Sequence, residues 1–147
     1  MQISSRFTIA THIMIAINTF QEEYKVTSDF LAGSINVNSV IIRRIMQSLK
    51  GANLIAVKRG TGGMEIAKPL TDITLLDIFY AVEPLEDGAL FHFHENPNPA
   101  CPVGRNIHAV LDDKLFAIQK AMEDKMRSIT LDAVVKDAKN LIKQENL

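Results

Sequence analysis

A mainly α fold carrying one small β-hairpin is predicted by three observations on this 147-residue chain. Apolar residues recur at three- and four-residue spacing in several separate stretches, the mark of helices with one buried stripe. Between Leu54 and Ala67 that period is lost, and two short apolar runs flank Lys58-Arg59-Gly60-Thr61-Gly62-Gly63, whose three glycines in four residues suit a tight hairpin loop. With 47% hydrophobic residues, a chain of this length buries a real core without a disulfide staple.

The elements follow in order. Ser5 to Phe20 reads as a helix in which Phe7, Ile9, Ala10, Ile13, Met14, Ala16 and Ile17 form a broad apolar face, able to pack beneath what comes next. Thr27 caps a short helix from Ser28 to Ser34, with Phe30 and Leu31 inward and Ala32 and Gly33 leaving room for a second helix. Asn36 tolerates the left-handed backbone that ends a helix, and Val37 offers an apolar plug. Asn38 caps the second helix, which runs from Ser39 to about Ala52 and turns Ile42, Ile45, Met46 and Leu49 inward. Its other face carries Ser39, Val40, Arg43, Arg44 and Gln47. The strands Leu54–Val57 and Met64–Ala67 then close the hairpin.

Two helices followed by a basic β-ribbon is the layout of a winged helix-turn-helix, which lays its second helix in a DNA groove. The expected DNA-facing set is Thr27 and Ser28 at the start of the first helix, Asn38, Ser39, Val40, Arg43, Arg44 and Gln47 on the second, and Lys58, Arg59 and Thr61 in the wing. An arginine at the wing root suits a narrow minor groove or a phosphate.

Pro69 ends the wing. Thr74-Leu75-Leu76-Asp77 forms a capping box, and the helix it starts stops before Pro84. Glu83 to Cys101 is the least regular stretch, with Pro84, Gly88, Pro97 and Pro99. A long helix from about Pro102 to Arg127 follows. Its stripe of Ile107, Leu111, Leu115, Ile118, Met122 and Met126 is widened by Val110, Phe116 and Ala121. At 1.5 Å per residue it is about 38 Å long, which favours burying the stripe against the same helix of a second subunit in a homodimer, over packing within one chain. The terminal helix starts after Thr130 with Leu131, Val134, Val135, Ala138, Leu141 and Ile142 inward, to pack on a reader domain or cross to the partner. The expected organisation is a DNA-reading domain over 1–83, an irregular sensor-like loop over 84–101, and a dimerisation helix with the C-terminal helix over 102–147.

Charge is segregated along the chain. The net charge is −1, so global basicity does not argue for nucleic acid. Between Asp29 and Glu65, however, there is no acidic residue, while Arg43, Arg44, Lys50, Lys58 and Arg59 supply five positive charges; eleven other Lys and Arg face all 17 Asp and Glu. All five fall on the second helix or the wing, a local footprint for DNA. The competing reading is an ordinary solvated surface.

The VKRGTGG wing, the following DITLLDIFYAVE helix and the terminal SITLDAVV segment resemble the Rrf-type winged-helix transcription regulators, the bacterial family of iron–sulfur and cysteine-metabolism repressors. The resemblance runs over nearly the whole chain. It implies a homodimer on double-stranded operator DNA, with Asn38, Ser39, Arg43, Arg44 and Arg59 as DNA contacts. Some members hold a [2Fe–2S] cluster on three cysteines of the central loop. This chain has one cysteine, Cys101, so that chemistry does not carry over and no cofactor is expected.

Cys101 precedes Pro102, and proline at a first helical position puts the cysteine at the cap of the long helix. Helix N–H groups and the dipole there favour a thiolate, the form oxidation sensing needs. An inert cysteine is the alternative. His92 and His94 are weak metal candidates, since their spacing matches no strong signature and the alternation Leu90 to His94 equally suits a half-exposed strand. His12 and His108 read as structural. No nucleophile motif or phosphate loop before a helix points to an enzyme. One cysteine suits a reducing cytosol, and neither a signal peptide nor a membrane span is expected, which makes the protein cytoplasmic. The rival readings are a winged-helix module that binds protein instead of DNA, and a regulator sensing a small ligand or metal in the central loop.

Overall fold

The computed structural model describes residues 3–146, and among them the chain forms six α-helices and one two-stranded antiparallel sheet. Helices α1 (Arg6–Phe20), α2 (Ser28–Ile35) and α3 (Ser39–Gly51) precede strands β1 (Ile55–Val57) and β2 (Met64–Ile66), and α4 (Leu75–Val82), α5 (Pro102–Arg127) and α6 (Leu131–Glu145) follow. The mainly α winged helix-turn-helix expected from the sequence is the observed class.

The short helices begin and end where side-chain chemistry dictates. Thr27 Oγ1 accepts the Phe30 N–H at 3.1 Å, and Asn38 Oδ1 accepts the Val40 N–H at 2.8 Å. Asn36 stops α2 in the left-handed region at φ 61°. Thr74 and Asp77 satisfy each other's backbone N–H groups at 2.9 and 3.1 Å, the reciprocal cap the sequence predicts. Each such cap is worth about 1 kcal/mol, which matters for α2 and α4, at eight residues each too short to stand alone.

One core joins α1, α2, α3, α4 and α6. Ile13, Met14 and Ile17 of α1, Leu31 of α2, Ile42 and Leu49 of α3, and Ile78 and Phe79 of α4 are buried together. The Phe7 ring meets Phe79 edge-on, with centroids 5.7 Å apart. Leu131 and Val135 of α6 are buried in the same core. The C-terminal helix therefore packs with the N-terminal elements, one of the two placements the sequence reading allows, although the expected division puts it in one segment with the long helix: the chain forms two compact units, 1–84 with 127–147, and 85–126. Backbone pairing explains the grouping, because Leu75 N–H donates to Ile129 O at 3.0 Å and Leu131 N–H to Ile73 O at 2.7 Å. Gly33 also departs from expectation. A Cβ built there meets nothing within 4 Å, so the close approach of α3 to α2 needs no glycine at that position, and Ala32 alone packs against the core.

In the second unit the irregular loop lies along α5. The Gln119 side chain accepts from Leu90 N–H at 2.9 Å and donates to Gly88 O at 2.8 Å. Asn98 comes so near the helix start that a Cβ on Gly104 would sit 2.5 Å from its carbonyl oxygen. None of the 26 residues of α5 is buried.

The wing is fastened on both sides of β2. Register pairs Ile55 with Ile66 and Val57 with Met64. On the far edge, Met64 N–H donates to Val26 O at 2.9 Å, and Ile66 N–H donates to the Gln21 side-chain oxygen at 2.9 Å. The Lys58 ammonium donates to Gln21 O at 2.9 Å, capping the end of α1. This docking is close because Gly63, at φ +76°, has no side chain: a Cβ there would sit 2.9 Å from Val26 N. Gly60 shares the positive φ, at +85°, but opens onto space. The two glycines thus separate backbone strain from docking. Gly60→Ala is expected to cost roughly 1–2 kcal/mol from the left-handed backbone, and Gly63→Ala about 1–3 kcal/mol more from overpacking against Val26. Urea denaturation of both variants checks this, and equal losses would remove the docking argument.

Candidate nucleic-acid interface

Helix α3 is the exposed centre of the candidate interface. Successive residues turn by about 100° around an α-helix, so Val40, Arg44 and Gln47 share the middle of its outer face, with Arg43 and Lys50 on one flank and Ile41 and Ser48 on the other. The surroundings agree. Arg43, Gln47 and Lys50 border a groove of about 300 Å³ whose opposite wall is Thr27 and Ser28 of α2 and Val57 and Gly63 of the wing. Arg44 and Ser48 instead border a second groove of about 430 Å³, shared with Arg6 and Tyr80. The two adjacent arginines, placed on one face by the sequence reading, thus serve different flanks of the helix.

Most of the basic footprint is available to a ligand. Among the described residues, Arg43, Arg44, Lys50 and Arg59 form no ion pair. Lys58 differs, because its ammonium is bound to Gln21 O and lies 3.9 Å from Glu22 Oε2. Its charge holds the wing in place. Arg59 and Thr61 sit exposed at the wing tip, where Thr61 donates its hydroxyl to Gly62 O at 3.2 Å. Val40 is 45% exposed on the first turn of α3, whereas Ser39 is half-buried. The Thr27 and Asn38 oxygens are engaged as helix caps, so these two shape the interface more than they face it.

Two residues absent from the sequence reading support the wing. Gln21 binds it through both its backbone and its side chain, and the Lys25 side chain lies under the wing glycines, 3.0 Å from a Cβ built on Gly62. Neither carries a local sequence signature, since their partners are 37 to 45 positions away.

The cysteine of the second unit is exposed at the start of α5. The backbone N–H of Gly104, then that of Val103, bonds its sulfur and holds the thiol below its usual pKa. This is the capping geometry expected from Cys101-Pro102. His92 and His94 are exposed and alternate with half-buried Phe91 and Phe93, in irregular chain and not in a strand. Among the described residues no three His, Cys, Asp or Glu side chains converge where a metal ion would sit. His108, also exposed, stacks on Phe93 with centroids 4.0 Å apart and approaches Asp112 at 3.3 Å.

Comparison with known proteins places this architecture. The Rrf2 family, described as iron-dependent transcriptional regulators, matches residues 3–137. The donors here do not fit an iron–sulfur cluster, which is held mainly by cysteine thiolates, because the chain has one cysteine and no converging group of donors among the described residues. The Bacillus subtilis (strain 168) protein YwnA, described as an HTH-type transcriptional regulator, is 38% identical over 133 residues, 90% of this chain and 96% of that protein. Two solved structures share the fold: T. potens IscR, with a TM-score of 0.69 at 22% identity over 94% of this chain and 88% of that one, and B. subtilis CymR, the global cysteine regulator, with 0.65 at 21% over 92% and 97%. No helix is long and apolar enough to cross a membrane among the described residues. The chain belongs to the Rrf2 family of transcriptional regulators and is not an enzyme.

Proposed function

We propose that this regulator is a homodimeric repressor that reads a pseudo-palindromic operator with α3 and the wing, and that Cys101 makes it responsive to oxidants. The observation that carries the DNA reading is the unpaired basic surface. Arg43 and Lys50 face the wing across an open groove, and no acidic residue occurs between Asp29 and Glu65 to oppose them. Affinity of this kind comes largely from released counterions and falls with salt, whereas a protein-binding wing predicts no such dependence.

Dimerisation is supported by α5, in which no residue is fully buried and one side leaves Val103 70%, Ile118 54% and Val110 51% exposed. An apolar surface of this kind on a single chain marks an association site, and two-fold protein symmetry imposes two-fold symmetry on the DNA. Sedimentation at micromolar concentration is expected to give the mass of two chains, with Ile118→Glu shifting it toward one. Fragments selected from genomic DNA are expected to share an imperfect inverted repeat. A single-chain mass that DNA leaves unchanged would contradict the dimer, and failure to enrich any site would favour the protein-binding module.

The arginines divide the work. In this reading Arg43 reads a base edge and Arg59 grips phosphate or the minor groove at the wing. Arg43→Ala is expected to cost about 1–3 kcal/mol on the selected site and to relax preference at one position. Arg59→Ala is expected to weaken all sequences alike and to lower the salt slope by about one for each subunit. Binding curves on a site library test both, and unchanged curves refute the assignments.

The redox reading rests on the bonds to the Cys101 sulfur. A thiolate attacks peroxide, the O–O bond breaks with loss of hydroxide, and sulfenic acid remains; a second thiol then forms a mixed disulfide as water leaves. Without a second cysteine, that thiol comes from a partner subunit or a small molecule. Either product replaces the acceptor of the Val103 and Gly104 N–H groups, at the junction of loop and long helix. Because its pKa is lowered, Cys101 is expected to alkylate at full rate at a lower pH than a free thiol, and mild peroxide is expected to change operator affinity in the wild type but not in Cys101→Ser. Unchanged affinity of protein modified at Cys101 would make the thiol structural and move the signal to a ligand in the His92 to Asn98 loop.

A further inference from the structure

The second groove, on the flank of α3 away from the wing, has two guanidinium groups on its walls. Arg44 enters it from α3 and Arg6 from the first turn of α1, with Ser48 and Tyr80 between them. Arg6 lies far in sequence from the helix-turn-helix, and a built-in support brings it there. Glu83 Oε2 lies 3.3 Å from an Arg6 terminal nitrogen, while Glu83 Oε1 accepts the Ser4 hydroxyl at 2.7 Å, and the Ser4 oxygen accepts the Arg6 backbone N–H at 3.2 Å. The carboxylate is 10% exposed and the guanidinium 48%. The acid is therefore sheltered and the base faces outward, with most of the five donors of the guanidinium still to be used.

An α-helix with its side chains is about 10–12 Å across, close to the roughly 12 Å width of the DNA major groove. A helix lying there has a phosphate chain on each flank. The wing-side groove offers Lys50 to one strand. We propose that Arg6 and Arg44 form a second phosphodiester site that holds the opposite strand of the same major groove. This rests on the DNA reading above and extends the interface beyond the helix-turn-helix and wing, to α1. A guanidinium fork matches the paired oxygens of a phosphate, and Arg44, which forms no ion pair among the described residues, gives the groove a net positive charge against Glu83.

The test uses the full chain and the duplex recovered by selection, with affinity followed against salt. Arg6→Gln is expected to lower the magnitude of the salt slope by about two, one phosphate contact for each subunit, so that the loss of affinity from 50 to 200 mM salt shrinks by about tenfold. Arg6→Lys is expected to restore the slope, because it keeps the charge. Glu83→Gln breaks the same ion pair but leaves Arg6 positive, so its slope is expected to stay at the wild-type value and its affinity to hold or rise. In phosphate-ethylation interference, Arg6→Gln is expected to erase a contact on the strand across the major groove from the contact erased by Lys50→Gln. The proposal is overturned if Arg6→Gln leaves the slope unchanged, or if Glu83→Gln weakens binding as much as Arg6→Gln, since the pair would then be structural. Loss of effect confined to Arg6, with Arg43→Ala and Arg59→Ala still impaired, defeats this site alone. Absence of salt-dependent binding by the unaltered protein defeats the DNA reading and this proposal with it.

Discussion

The docking of strand β2 against the turn between α1 and α2 is the constraint on which the candidate interface depends. A two-stranded ribbon is marginal by itself in water, and its position would be free without a second attachment. Here β2 bonds β1 along one edge and Val26 and Gln21 along the other. Because α1 also packs on α3, the same helix that supports α3 fixes the wing, and the groove between Arg43 and Gly63 has two walls set by one element. The cost falls on sequence. Gly63 must lack a side chain and adopt positive φ, and Lys58 uses its charge inside the protein.

Much of the fold is legible in the sequence because it depends on local chemistry. Thr27, Asn36, Asn38 and the Thr74–Asp77 pair act within three residues of themselves, so their pattern is visible along the chain, and the structure has each cap where expected. The buried stripes of α1 and α3 follow from period alone. Long-range pairing leaves no such trace. Nothing local announces that Ile73 and Leu131 share a backbone bond, so the sequence reading leaves the C-terminal helix either on a reader domain or across to the partner, and it packs beside α1. Gly33 fails for a related reason, since a glycine near a helix crossing suggests close contact while the contact itself depends on the angle of approach.

The site shows the same division. Arg43, Gln47 and Arg59 are exposed in the region expected from their spacing, but charge counting cannot tell a free cation from an engaged one. Lys58 counts toward the basic footprint and is engaged with the end of α1, while Arg6 lies outside the acid-free stretch and stands beside Arg44. In the second unit, the stripe of α5 is legible as an apolar period, but not its partial burial within one chain, where Ile107, Leu111, Leu115, Met122 and Met126 are half-buried and Ile118 is exposed. Phe116, expected to widen that stripe, is 70% exposed and borders a groove of about 370 Å³ together with Leu115, Phe91 and Phe93.

The central claim is that the basic surface of α3 and the wing binds the DNA backbone, and a salt titration of duplex binding tests it most directly. Two subunits each using Arg44, Lys50 and Arg59 against phosphates would give a slope of log affinity against log salt of about −5. The account predicts a steep, linear fall of that order for the selected duplex. A slope near zero, or no binding at low salt, would contradict it.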